Sequence, residues 1–189
     1  MRGVVIFMLA MAIAALPVLA DDKSQAERDA DRLAEAFLPI AKDVLAKAGS
    51  FFPFGGAMTP ADEMDIFSAG DTGTDEDEIL ATLTSGFKVA VAEGRYKAVA
   101  IIGDVTVKRT KDSEPGSAIL MQIEHRDGYC VDAFWPYSLS VNGEAISVRY
   151  GTPWRKARKG TIFSTCRASQ APTVEQLQKM LDDMKNETP

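Results

Sequence analysis

The chain has 189 residues, of which 46% are hydrophobic and 25% charged, with a net charge of −6. That is the balance of an ordinary globular protein, long enough for one domain with a real core. The excess of acids argues against a general nucleic-acid binder.

Residues 1–20, MRGVVIFMLAMAIAALPVLA, read as a secretory signal peptide. Arg2 supplies the positive start and Val4 to Leu16 the apolar stretch, which Pro17 breaks; Val18 and Ala20 suit cleavage after Ala20. The stretch is too short, and too soon followed by DDKSQ, for a lasting membrane span. No later segment is apolar enough to cross a bilayer. Loss of Arg2 with the leader takes the net charge to −7, and residues 21–189 then form a single exported domain, periplasmic or secreted. In such a compartment the two cysteines, Cys130 and Cys166, are expected to form a disulfide, which would stabilise the fold by about 3–4 kcal/mol.

Ser24 and Glu27 form a capping box, followed by helical periodicity in Leu33, Phe37, Ile40, Ala41, Val44 and Leu45. Pro39 should kink or divide this helix and Gly49 should end it. FFPFGGAMT (51–59) and MDIFSA (64–69), joined by the PADE turn, read as a hairpin. Thr74 with Asp77 makes a second capping signature, opening a helix over about 75–93 that stops at Gly94. Strands follow: YKAVAIIGDVTVKR (96–109), with a bulge expected at Gly103, then AILMQIEHR, a DG turn and YCVDAFW. VNGE (141–144) turns into AISVRYG, TIFSTC reads as a last strand, and 173–187 as a terminal helix. The order α-β-β-α-β-β-β-α predicts an α+β domain, an antiparallel sheet with helices packed on it, similar to profilin-like or roadblock-like arrangements.

With Asp127 and Gly128 as the two central turn residues, His125 would face Cys130, and Ile123 would face Asp132. Alternation then places His125, Cys130 and Asp132 on one sheet face, the residue types of a thiol-dependent enzyme. A disulfide through Cys130 would exclude that chemistry, because the nucleophile must be a free thiolate. One histidine and two distant cysteines do not make a closed zinc site, and the acidic run DTGTDEDE lacks the spacing of a calcium loop. No metal or other cofactor is expected. Phe51, Phe52 and Phe54 either fill the core or line an apolar pocket, as in a small-ligand carrier. F-F-P-F-G at 51–55, with H-R-D-G inside E-H-R-D-G at 124–128, resembles a pattern in a family of small uncharacterised bacterial proteins. That resemblance implies no site and no activity.

Charge is segregated. Between Ala48 and Phe87 there is no lysine or arginine against eight acids; between Ala145 and Val174 there is no acid against six bases. The segment 149–159, with Arg149, Trp154, Arg155, Lys156, Arg158 and Lys159, is the candidate surface for gripping a protein partner. The function expected is therefore an exported, non-enzymatic binding domain, of inhibitor or immunity type. The rivals are a thiol enzyme on Cys130 and His125, and an apolar-ligand carrier.

Overall fold

The structure, a computed structural model, describes residues 23–70, 73–143 and 145–166. The leader expected in 1–20 and the helix expected in 173–187 lie outside these residues. Helix α1 (Gln25–Ala48) opens on the capping box: Ser24 accepts the Glu27 N–H, and the Glu27 carboxylate accepts the Ser24 N–H at 2.7 Å. Gly49 closes the helix at φ 77°, its N–H donating to the Leu45 carbonyl. Of the two effects expected of Pro39, division of the helix does not occur: α1 runs through it unbroken. Phe37 on one side of it and Ala41 on the other are both buried in the same core, so packing offsets the one backbone bond that proline removes.

Strands β1 (Phe54–Met58) and β2 (Met64–Ser68) form the first hairpin. Helix α2 (Glu76–Ala92) is capped by Asp75 rather than Thr74, with the Asp75 carboxylate accepting the Asp77 N–H at 2.9 Å. Then come β3 (Ala98–Val107), β4 (Gly116–His125), β5 (Cys130–Asn142), β6 (Ala145–Tyr150) and β7 (Trp154–Ala157). The fold is α+β. Its antiparallel sheet runs β2-β1-β3-β4-β5-β6, with β7 also paired to β5.

The sheet is apolar on both faces because a helix covers each. Along β3, Ala98, Ala100 and Ile102 join Leu33, Phe37, Leu45, Met121 and Ile123 on the α1 side. Val99 and Ile101 join Ile79, Leu83 and Phe87 on the α2 side. Between the helices β1 carries Gly55 and Gly56: a Cβ on the first would overlap the Phe87 ring, and on the second the Phe37 ring. Only glycine lets both helices approach that closely.

Three strand expectations are corrected. Gly103 forms no bulge, since the β3–β4 register is unbroken and places it opposite Leu120. TIFSTC is not a strand but a turn segment, clamped to the sheet by side chains described below. The basic segment 149–159, read from sequence only as a charged surface, is the end of β6, a short crossing, β7 and the two residues after it. Strand β5 makes this possible by changing partner. Tyr137–Asn142 pair with β6, whereas Val131–Phe134 pair with β7. Pro136, which has no N–H to give, stands at the junction and its carbonyl accepts the Gly151 N–H.

Candidate functional site

The β4–β5 turn differs by one residue from the two-residue turn expected. The His125 N–H donates to the Tyr129 carbonyl at 3.0 Å, and the Gly128 N–H to the His125 carbonyl at 2.9 Å. A two-residue turn of that type needs positive φ at both central positions. Here Gly128 alone has it (φ 89°), so Arg126, Asp127 and Gly128 together make the connection. The slip exchanges faces: Glu124, not His125, stands opposite Cys130. His125 lies on the α1 side of the sheet and Cys130 and Asp132 on the other, so the three do not form one site. Cys130 is bonded to Cys166, with their Cα atoms 5.6 Å apart, and no cysteine is free among the described residues. The bond fits an oxidising compartment.

His125 instead belongs to a buried polar network under the first turns of α1. Its Nε2 is 3.2 Å from Asp29 Oδ2, and its Nδ1 accepts the Asp127 N–H at 3.1 Å, so the neutral ring donates through Nε2. Lys97 Nζ lies 2.8 Å from the same Asp29 carboxylate and also pairs with Asp62. Gln25 donates to the other Asp29 oxygen at 2.8 Å. Burial opposes the Asp29 charge, but hydrogen bonds from Lys97 and Gln25 and the Lys97 charge outweigh it and hold its pKa below the ordinary value. Burial also lowers the His125 pKa, against the pull of Asp29 and Asp127. Both rings of contact are satisfied, and His125 is 1% exposed. The network cross-braces helix, turn and sheet rather than facing a substrate.

Glu124, absent from the sequence candidates, is fully buried. Its Oε1 accepts from Arg158 at 2.7 Å and from the Thr161 N–H at 2.8 Å; its Oε2 accepts from the N–H groups of Ile162 and Phe163 at 2.8 and 2.9 Å. Successive backbone donors make a cradle for an anion, and here the protein fills it with its own carboxylate. The sequence signal was available: in AILMQIEHR a glutamate sits among apolar strand residues.

The basic candidates are largely spoken for. Arg158 bonds Glu124 and lies 3.2 Å from Asp132, and Lys156 lies 3.5 Å from Asp132. Arg155 bonds Asp31 of α1 at 2.7 Å. Trp154 stacks on Phe134 with ring centroids 5.0 Å apart, and the Arg109 guanidinium lies over the Trp154 ring, 5.4 Å from its centroid. Arg149 and Lys159 are exposed and have no ion pair among the described residues.

An open apolar groove lies elsewhere. The second half of α1 (Ile40, Val44, Ala48), the approach to β1 (Ser50, Phe51, Phe52, Phe54), Glu76 and Asp104 line a groove of about 670 Å³. Ile40, Val44 and Phe52 are 39%, 38% and 60% exposed, large apolar side chains gathered at one place. Phe51 and Phe54 pack on the core from beneath, at ring centroids 6.0 Å apart, so the phenylalanine cluster both closes the core and floors the groove. Asp104 accepts a hydrogen bond from the Tyr137 hydroxyl. Burial, and then that carboxylate, push the Tyr137 pKa up, keeping the phenol neutral. Ile40 and Val44 stood in the sequence as part of the helical apolar arc; that they flank its buried stripe was not separable from periodicity alone.

No family model, curated protein or solved structure matches the chain.

Proposed function

We propose that the protein is an exported, non-enzymatic binding domain, and that it receives an apolar segment of a protein partner in the groove between α1 and the Phe51–Phe54 approach. The observation that carries this reading is the exposure of Ile40, Val44 and Phe52 around one groove. Small-molecule sites enclose most of their ligand, whereas this groove is open along a helix and suits side chains presented by another chain. The i, i+4 spacing of Ile40 and Val44 gives a partner two adjacent anchor points. The basic segment 149–159, the surface expected from sequence, supports the reading less well. Arg155, Lys156 and Arg158 are held by Asp31, Asp132 and Glu124, and a partner would have to displace those acids.

The test compares captures from the envelope fraction by three forms: wild type, Ile40→Asp/Val44→Asp, and Lys156→Ser/Lys159→Ser. Capture should survive the strand variant and be lost with the groove variant, and should be reproduced with the purified partner. A partner lost only with the strand variant would return the site to β7.

A further inference from the structure

The groove is apolar in its floor but not neutral at its margins. Two carboxylates, Glu76 and Asp104, belong to its lining, and no cation does among the described residues. Asp104 has a hydroxyl partner in Tyr137 but no ion pair, and Glu76 has none either among the described residues. Glu76 opens the first turn of α2, where Asp75, Asp77 and Glu78 add to the same field. The helix dipole there offsets these charges in part, but it carries only about half an elementary charge against four carboxylates. No lysine or arginine occurs between Ala48 and Phe87 to neutralise them from within the segment.

Resting on the groove reading, we infer that the partner segment is basic as well as apolar: its apolar side chains enter between Val44 and Phe52, and a lysine or arginine beside them meets Glu76 and Asp104. An acidic or neutral apolar segment would fill the floor and leave both carboxylates desolvated without a counter-charge, a penalty that discriminates between partners. The same margins explain why the exposed apolar patch need not attract anionic surfaces: the carboxylates repel them.

The experiment uses intact, disulfide-bonded protein and two synthetic amphipathic helical peptides sharing one leucine pattern, one with lysine and one with glutamate on the polar positions. Binding is followed by calorimetry and by amide shifts of residues 40–54 at physiological salt. The lysine peptide should bind at least about tenfold more tightly, with shifts centred on Val44 and Phe52. Glu76→Gln/Asp104→Asn should reduce that preference to about threefold or less. Glu63→Gln/Glu93→Gln, with the same charge change at the far ends of β1 and α2, should leave it intact, which separates local recognition from attraction by net charge. Val44→Asp should abolish binding of the lysine peptide. Equal binding of both peptides in the groove would overturn the charge inference and leave the groove reading standing. Shifts elsewhere, or none, with either peptide would overturn both. Tight groove binding of dodecyltrimethylammonium with no peptide binding would replace the protein segment by a small cationic amphiphile.

Discussion

Two neighbouring positions, Glu124 and Cys130, hold the segment 158–166 against the sheet by unrelated means. Glu124 and Cys130 face each other across β4 and β5, and both reach the same segment, one by hydrogen bonds and one by a covalent bond. Denatured, unreduced protein should therefore show no free thiol, and reduced protein two, by thiol titration. Cys130→Ser should lower the unfolding free energy by about 2–4 kcal/mol in denaturant melts. Glu124→Gln puts an NH₂ group where only acceptors fit and leaves Arg158 with Asp132 as its remaining charge partner. It should cost about 3 kcal/mol or more, and hydrogen exchange should speed up at Thr161 to Phe163 while α2 stays protected. An unchanged melt for Glu124→Gln would mean that the disulfide alone holds the segment.

At the scale of elements, β7 shows how charge pattern and charge role separate. A run of bases in sequence predicts an exposed grip, but β7 directs the residue just after it, Arg158, 14% exposed, onto a buried carboxylate, while Lys156 within the strand stays 60% exposed. Arg158→Ser should accordingly destabilise by about 3 kcal/mol, and Lys159→Ser should stay within about 0.5 kcal/mol. Thermal melts of the two single variants check this directly. Helices, hairpins and the α+β class were legible because caps and periods are local: Ser24 with Glu27, Gly49, and the apolar, β-branched run of YKAVAIIGDVTVKR each declare their element. Asp75 replacing Thr74 as cap, or an uninterrupted register at Gly103, moves a boundary without changing an element. What was not legible was tertiary. One additional residue in the Arg126–Gly128 turn reversed the faces of the proposed Cys-His-Asp set, and the pairing of Asp29 with His125 spans 96 positions that no local pattern links. The groove lay between these cases. Its phenylalanines stand together in the sequence, but Glu76 and Asp104 join it only through the fold.

For the whole molecule, the buried network ties stability to pH with a definite sign. His125 has its pKa lowered from the ordinary 6.5, so on acidification the unfolded chain takes its proton first. The stability it contributes is complete above pH 6.5 and is lost as pH falls from there through its folded pKa. Asp29, lowered from 3.8, adds a second loss below that value. Wild-type denaturation midpoints should thus fall between pH 7.5 and 5, while His125→Gln, starting lower, should be nearly flat over that range. A wild-type midpoint that rises on acidification would contradict the neutral, Nε2-donating ring. The proposed export carries a further whole-chain prediction: intact mass of the mature protein should correspond to a chain starting at Asp21. A mature pool that retains Met1 would contradict it.

The cradle around Glu124 also bears on how the covalent bond is made. Thr161 to Phe163 bind Glu124 through their backbones, and the Gly160 N–H donates to the Cys166 carbonyl. These bonds require no oxidised sulfur, so a reduced chain that reaches its native pairing already presents Cys166 to Cys130 at high effective concentration. With two cysteines only one intramolecular pairing exists, and no reshuffling is needed to find it. Oxidation then acts as a seal on a completed fold instead of a guide to it. Refolding with a thiol oxidant measures this order: secondary structure should return before the thiols disappear, and Glu124→Gln should slow the second step more than the first.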